Sequence, residues 1–228
     1  MGWIVAFSGQ KGGAGKTTSA TGFAVAAAKH GASVLIGDMD TKQQSSMQWG
    51  KRRRDNGHQP VVSVQVMVNE KAIELARDLF DVVVLDLPPH ADDLTLKVAK
   101  ASDLMVIVTD TNAIELEPTV NLLHALKAHG LEAPRIVIAL SKVRDERREG
   151  EARAYLAKAG YQALKSPMMD YTSIHDIGND GRSPPEITYP AVAEQAKAFF
   201  KGLMDALSRA TEQVRESVVT KVKEGRGR

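Results

Sequence analysis

Gly9-Gln10-Lys11-Gly12-Gly13-Ala14-Gly15-Lys16-Thr17-Thr18 is the stretch that decides the fold of this chain. It follows an apolar run, 3–7, that predicts a buried strand, and it precedes small and apolar residues, 19–29, that predict a helix. Glycines let the backbone turn tightly and point successive N–H groups inward, and a helix N-terminus adds partial positive charge. A strand, a glycine-rich turn and Gly-Lys-Thr at a helix start therefore predict a cradle for the phosphates of a nucleoside triphosphate.

The loop departs from the standard phosphate-loop pattern, which asks for glycines at 10 and 15. Residue 10 is Gln, and a second lysine, Lys11, stands at the start of the loop. The run from Lys11 to Thr18 resembles the deviant Walker A motif of the ParA/MinD family of partition and positioning ATPases. This resemblance extends over nearly the whole chain and implies an ATP-dependent homodimer that uses Mg²⁺.

Predicted strands and helices alternate along the rest of the chain. The strands are apolar runs without period-two alternation, which is typical of an α/β fold with a doubly wound, mostly parallel sheet covered by helices on both faces. The predicted strands are 3–7, 33–36, 61–66, 81–86, 104–108 and 135–140, with a possible edge strand at 161–164. The predicted helices are 19–29, 45–54, 69–79, 92–101, 117–129, 145–159 and a long amphipathic helix at 191–222. We expect Asn69 to cap its helix, Pro118 to lie in the first turn of its helix, and residues 167–190 to form an irregular surface loop.

Length and composition limit the classes of function. A chain of 228 residues suits a single domain over 1–222, followed by a basic disordered tail at 223–228. The formal net charge is only +2, so binding to an anionic partner must depend on local clusters of charge. The chain contains no cysteine, which excludes disulfides, cysteine-ligated zinc and iron–sulfur clusters. It shows no signal peptide and no apolar run long enough to span a membrane, so we expect a cytoplasmic protein.

Carboxylates follow two further predicted strands, and the carboxyl ends of parallel strands meet at one crevice. The resemblance implies a role for each side chain there. Phosphate contacts fall to Lys16 and to the backbone of Gly12, Gly13, Ala14, Gly15, Thr17 and Thr18. Thr17, Asp38 and Asp86 would hold Mg²⁺, and Asp40 would orient the attacking water. Lys11 would reach across a dimer interface to the partner's phosphates, as an arginine finger does.

Each of these assignments has a plainer alternative. Lys11 would otherwise be a solvated loop lysine, Asp40 an N-cap of the helix that begins near Ser45, and Asp86 a strand-end turn residue. The family has Pro-Gln after its second aspartate, where this chain has Thr41-Lys42, which a one-residue shift explains. The resemblance implies adenine contacts after the strand that ends near Leu140 and around Pro167 and Met168.

The resemblance also implies that the ATP-bound dimer binds DNA without sequence preference and associates with the nucleoid. A ParB-like or adaptor protein would stimulate hydrolysis, and the cargo would be a plasmid, a chromosome or a protein complex. The candidate DNA-binding residues are Arg182, Lys197, Lys201 and Arg209, although an ordinary solvated helix face fits them equally well. The run Lys51 to Arg54 would be a second DNA contact, a partner site or a polar helix end. The short type of ParA is the nearest match, because no helix-turn-helix segment precedes the loop.

Two other classes of protein remain as alternatives. A MinD-like membrane-cycling ATPase needs bulky apolar residues in its C-terminal helix, whereas the last twenty residues offer only valines, which argues against membrane binding. A phosphate-loop metabolic ligase would need neither the lysine at position 11 nor a basic C-terminal helix.

Overall fold

The computed structural model describes residues 2–90, 92–131 and 133–225, with side chains throughout except at 92 and 213–225. The strands in these parts of the chain are β1 (Trp3–Ser8), β2 (Val34–Asp38), β3 (Ser63–Val66), β4 (Val82–Asp86), β5 (Leu104–Thr109) and β6 (Ile136–Leu140). The helices are α1 (Lys16–Lys29), α2 (Ser45–Asp55), α3 (Glu70–Leu79), α4 (Asp92–Ala101), α5 (Ala113–Ala128), α6 (Glu146–Lys158), α7 (Thr172–Ile177) and α8 (Pro190–Gly225). Two short 3₁₀ turns, at 178–180 and 184–186, lie between α7 and α8.

The strands form one sheet in the order β3-β2-β4-β1-β5-β6, and every pair is parallel. The predicted doubly wound α/β fold is therefore confirmed. The register pairs Phe7 of β1 and Asp38 of β2 with Asp86 of β4. The carboxyl ends of three neighbouring strands thus meet at one edge, beside the loop at 9–15.

Apolar side chains fill the space on both faces of the sheet. On one face α1, α2 and α8 pack on the strands, and the aromatic core includes Phe7, Phe23, Phe199 and Phe200. The Phe200 ring lies so close to Gly22 of α1 that any side chain at that position would collide with it. The opposite face buries apolar residues of α3, α4, α5 and α6. No helix among the described residues has both the length and the apolar character needed to cross a membrane.

Three local predictions were wrong. Residues 161–164 form only an isolated bridge between Ala163 and Ile138, because the Arg153 guanidinium takes the carbonyl oxygens of 163–165. Helix α5 begins at Ala113 rather than at 117, since Asn112 caps it, so Pro118 lies in the second turn. The surface loop predicted at 167–190 contains α7, which buries Ile174 and Ile177.

Other boundaries agree with the sequence. The Asn69 side chain caps α3 by accepting a hydrogen bond from the Ala72 N–H, as predicted. The apolar stripe predicted for the long helix is buried or half-buried from Val192 to Ala210, and its continuation at 214 and 218 lies outside the described side chains. Of the predicted disordered tail, 223–225 belong to α8 and 226–228 lie outside the described residues.

A buried arginine fastens α2 to the segment that precedes α8. Arg53 is 2% exposed and makes a two-pronged ion pair with Glu186, with N–O distances of 2.9 and 3.1 Å. Its remaining N–H groups donate to the carbonyl oxygens of Pro60 and Gly181, and its guanidinium lies 5.3 Å from the centre of the Trp49 ring. Every donor of this guanidinium is satisfied, so the ion pair specifies how α2 meets residues 181–186.

We expect Glu186→Gln to lower the free energy of unfolding by about 3–5 kcal/mol, because it leaves the Arg53 charge buried without a counter-charge. Chemical denaturation measures the change. The matched control is Asp205→Asn, which breaks the exposed pair with Lys201 and should cost less than about 1 kcal/mol. Equal losses in the two variants would contradict the structural role of the buried pair.

Candidate functional site

The loop from Gly9 to Gly15 encloses a cavity of about 280 Å³ at the carboxyl edge of the sheet. Gly13 and Gly15 have φ values of 81° and 92°, which only glycine adopts readily. A Cβ at Gly15 would also collide with the Ser141 side chain. Because Gly15 immediately precedes α1, the first N–H groups of that helix face the cavity. The predicted residues that line this cavity are Gly12, Gly13, Gly15, Lys16, Thr17, Thr18, Asp40 and Asp86, whereas Ala14 is buried.

Asp86 joins the two helix starts at this edge. Its Oδ2 accepts hydrogen bonds from the Thr17 hydroxyl at 2.7 Å and from the Ser46 hydroxyl at 2.8 Å. Its Oδ1 is buried and has no hydrogen-bond partner. Burial raises the pKa of this carboxyl from 3.8 to about 6, although the two hydroxyls oppose the shift. A buried carboxylate oxygen that still lacks a partner, next to a threonine hydroxyl, fits a Mg²⁺ ion better than it fits a closed structural role.

Lys16 lies deep in the cavity. Its ammonium donates to the Lys11 carbonyl oxygen at 2.9 Å, and the residue is 7% exposed. Burial lowers the pKa of Lys16, and the nearby carboxylates of Asp86, Asp40 and Glu115 oppose the shift. A cation buried among acceptors in this way is held where phosphate oxygens would be bound.

Asp38 and Asp40 stabilise the connection between β2 and α2. Asp38 accepts hydrogen bonds from the Asp40 N–H and from the Met47 N–H, so Asp38 rather than Asp40 caps the first turn of α2. Burial raises the pKa of Asp38, while those backbone hydrogen bonds oppose the shift. Asp40 instead accepts from the N–H groups of Lys42 and Gln43, and it lines the cavity. Asp40 therefore lies where a water next to bound phosphates could be oriented.

Lys11 belongs to the loop but does not line the cavity, and its side chain is 54% exposed. Its ammonium is 3.1 Å from Glu115 Oε1, and the Glu115 side chain is only 9% exposed. Glu115 belongs to the first turn of α5, which begins after β5. In this single chain the second lysine is thus held by a carboxylate of its own protomer.

Other predicted residues lie away from the cavity. Pro167 and Met168 do not line it, and Met168 is buried with its backbone N–H and carbonyl bound to Leu140 and Val143. The adenine contact expected there stays a prediction. Arg182 forms an ion pair with Asp180 in the segment before α8. Lys197, Lys201 and Arg209 are exposed on α8.

Three residues of the site were not anticipated from the sequence: Ser46, Glu115 and His175. Lys142 belongs to the segment after the strand that ends near Leu140, where the resemblance implies a contact with the adenine. Lys142 and His175 line the cavity. Lys142 has a φ of 54°, an uncommon conformation for a residue with a side chain. Its position directly after β6 was a usable signal, because residues after parallel strands gather at this edge. Ser46 and Glu115 gave no comparable signal, since only the folded chain brings them to Asp86 and Lys11.

Thr17 and Asp86 are a small set of ligands for a metal ion. Among the described residues no group of three or more histidines and carboxylates is placed to hold one. This fits Mg²⁺, which proteins often bind through one or two side chains together with waters and substrate phosphates.

Solved structures with the same fold include several nucleotide-bound proteins. The septum site-determining protein MinD from Pyrococcus horikoshii, complexed with Mg-ADP, is 18% identical, with 89% of this chain and 94% of that chain covered and a TM-score of 0.68. A ParA family ATPase from Chlorobium tepidum is 15% identical, with 86% and 99% covered and a TM-score of 0.67. A complex of a McdA variant with ATP, from Cyanothece, is 14% identical, with 89% and 96% covered and a TM-score of 0.63. At these identities the likeness establishes the fold.

Comparison with curated protein sequences gave no match. The model of the CobQ/CobB/MinD/ParA nucleotide-binding domain matches residues 5–225, which include the loop, both acidic strand ends and the long helix. The matched residues include the glycine loop, Lys16, Thr17 and Asp86, which lie together in the site. This chain therefore belongs to the CobQ/CobB/MinD/ParA nucleotide-binding family.

Proposed function

We propose that this chain is a ParA-type ATPase that dimerises around ATP, binds DNA without sequence preference and positions a cargo through partner-stimulated hydrolysis. The observation that carries the proposal is the pair of lysines in one loop. Lys16 lines the cavity and is buried, whereas Lys11 lies outside the lining with a half-exposed side chain. An exposed lysine in the phosphate loop is available to a second subunit that closes over the site, and this arrangement would link nucleotide binding to dimerisation.

ATP and Mg²⁺ are the proposed ligands of the cavity. Lys16 and the N–H groups of residues 12–18 would hold the β- and γ-phosphates. Thr17 and Asp86 would hold Mg²⁺, and Asp38, which is next to Asp86 on the neighbouring strand, would support the Mg²⁺ shell. Bound Mg²⁺ supplies neutralisation of phosphate charge in phosphoryl transfer. Asp40 would orient the water, and the closed second subunit would exclude bulk solvent.

We expect Asp86→Asn to stabilise the nucleotide-free protein above about pH 6 and to remove the stabilisation that Mg-ATP gives. The folded chain raises the pKa of Asp86 to about 6, so the folded state binds this proton more tightly than the unfolded state. Its contribution to stability is therefore present below about pH 4 and is lost as the pH rises through about 6. Thermal melts across this pH range, with and without Mg-ATP, test both parts.

Wild-type stability without nucleotide should fall between about pH 4 and pH 6 more steeply than the stability of the variant. An equal gain in melting temperature from Mg-ATP in both proteins would contradict the assignment of Asp86 to the metal.

Dimerisation requires that Lys11 leave its ion pair with Glu115. The pair is half-exposed on the lysine side, whereas its carboxylate is buried. Breaking this ion pair costs free energy, so dimerisation should be more favourable in a variant that lacks it. The proposed dimer therefore competes with a contact inside one protomer.

We expect Glu115→Gln to lower the protein concentration at which half of the chains dimerise with ATP, because the neutral amide holds Lys11 less strongly. Lys11→Ala should bind ATP and stay monomeric. Light scattering with Asp40→Ala as the background measures the dimer without turnover. Glu117→Gln, which changes an exposed glutamate two residues away, is the matched control and should behave as the background protein does. Normal dimerisation of Lys11→Ala would contradict the role in trans.

DNA binding is proposed for one stripe of α8. Lys197, Lys201, Asp205 and Arg209 follow each other at four-residue spacing, so they share one helix face. Asp205 pairs with Lys201 at 2.6 Å and neutralises part of this stripe. Arg182 lies on the segment before the helix. A protein of this kind would be cytoplasmic and would associate with the nucleoid when ATP-bound. A ParB-like or adaptor protein would stimulate its hydrolysis during plasmid partition or DNA segregation.

We expect the triple variant Lys197→Ala/Lys201→Ala/Arg209→Ala to weaken DNA binding by the ATP-bound form. The slope of log affinity against log salt should become shallower by about 2.7 for each subunit that contacts the DNA, since each lost phosphate contact removes about 0.9. Asp205→Asn is the opposing control and should strengthen binding, because it frees Lys201. Fluorescence anisotropy with duplexes of unrelated sequence measures both. ATP-dependent binding to anionic vesicles, with no DNA binding, would favour a MinD-like membrane cycle instead.

A further inference from the structure

The cavity between α2 and β3 is larger than the nucleotide cavity and shares no lining residue with it. Its volume is about 740 Å³. We call it the β3 groove. The residues used below are Met47, Lys51 and Arg54 from α2, Val62 before β3, and Ser63 and Val64 of β3. Neither the ATPase cycle nor the proposed DNA stripe uses this surface.

One side of the groove is a bare sheet edge. Strand β3 is outermost in the sheet, and no other strand in the described part of the chain pairs with its outer side. The Met67 N–H donates to the Asp38 carbonyl oxygen on β2. Because backbone groups alternate along a strand, the N–H and C=O of Val64 and Val66 point to the outer side. They form a template for an added strand.

The sequence of this short edge strand contains no charged residue or proline that would oppose pairing with another strand. Residues 61–68 read Val-Val-Ser-Val-Gln-Val-Met-Val and contain no charge. Val61 and Val68 are 72% and 63% exposed. Natural edge strands are commonly protected by lysines, prolines or bulges, and an uncharged valine-rich edge favours pairing with another chain.

The charge of the groove indicates what kind of chain would bind. Lys51 and Arg54 lie on one side of α2, His58 follows in the loop, and the described lining includes no aspartate or glutamate. The ion pair of Lys51 with Asp55 is exposed on both sides and therefore weak. Arg53 also borders the groove, but its charge is paired with Glu186, so it offers no free cation to a ligand. A ligand with carboxylates would be matched to these cations.

The apolar part of the same lining favours a peptide over a nucleic acid as the ligand. Met47, Val62 and Val64 give the groove an apolar floor, which offers nothing to a phosphate backbone but accepts alternate side chains of an extended peptide. We propose that the β3 groove binds an extended acidic segment of a partner protein, which adds as a strand to β3. Its main chain pairs with Val64 and Val66, and its carboxylates meet Lys51 and Arg54. This site goes beyond the proposed function and does not depend on it.

The test uses a displayed library of random short peptides, panned on the full chain without nucleotide. We expect enrichment of sequences that alternate acidic and β-branched or aromatic residues. Anisotropy of a labelled selected peptide should show at least about a tenfold loss of affinity in Lys51→Glu/Arg54→Glu. The matched control, Arg147→Glu/Arg148→Glu on α6, should bind as the wild type does. Thermal melts establish that each variant is folded.

Strand addition is tested on the peptide itself, which avoids any question of folding. Only alternate N–H groups of an added strand face β3. N-methylation at alternate positions of the selected peptide should therefore abolish binding in one parity and leave it nearly unchanged in the other. An equal loss in both parities would overturn the strand model.

Three further outcomes would overturn the proposal. One is the absence of any enriched family of sequences, and another is enrichment without acidic residues. The third is undiminished peptide binding to Lys51→Glu/Arg54→Glu. Because no step requires ATP, failure here leaves the ATPase proposal unaffected, and failure of ATP-dependent dimerisation leaves this one unaffected.

Discussion

The Asp86 carboxylate is the contact on which the arrangement of this site depends. It ends the strand next to β1 and holds a hydroxyl from each of two helices, Thr17 at the start of α1 and Ser46 at the start of α2. One oxygen is left buried and without a partner, and burial raises the pKa of the carboxyl to about 6. A buried carboxylate with an unpartnered oxygen is unfavourable in the free protein and is typical of a site where a ligand supplies the missing interaction. The two helix starts are thus positioned by the same side chain that would meet the metal.

Helix α2 transmits this constraint across one face of the sheet. Its first turn is fixed by Asp86 and Asp38, while Trp49 donates to the Arg182 carbonyl oxygen and Arg53 pairs with Glu186. The segment fixed in this way leads directly into α8. A shift of α2 on nucleotide binding would therefore move the start of α8 as well. The buried hydrogen bonds of the Arg53 guanidinium cannot lengthen gradually without leaving buried polar groups unpaired. Helix α2 also lines the β3 groove. One short helix thus contacts the nucleotide site, the segment before α8 and this groove.

The sequence predicted the features that depend on neighbours in the chain. The glycine loop, the buried strands and the order of helices follow from local pattern, and the apolar stripe of α8 follows from helical period. Contacts between distant residues gave no such signal. Lys11 and Glu115 are far apart in sequence, and nothing in Lys51-Arg52-Arg53-Arg54 marks Arg53 as the buried member. Helix α7 was missed because its six residues are too few to show helical periodicity, and α5 began early because Asn112 outweighed Pro118 as a start signal.

The small net charge of the chain conceals strong local differences, and burial decides which charges act. Of the four cations in α2, Arg53 is fully neutralised inside the protein, Arg52 donates to the Gly178 carbonyl oxygen, and Lys51 and Arg54 face solvent in the β3 groove. On α8, Asp205 offsets one lysine of the stripe. A count of charges along the sequence therefore overstates the positive charge that α2 presents to solvent. Lys51 also pairs with Asp55, but that pair is exposed on both sides and therefore weak. Partner binding by such a protein depends on the cations that the fold leaves at the surface without a buried counter-charge, since these can still interact with an anionic surface.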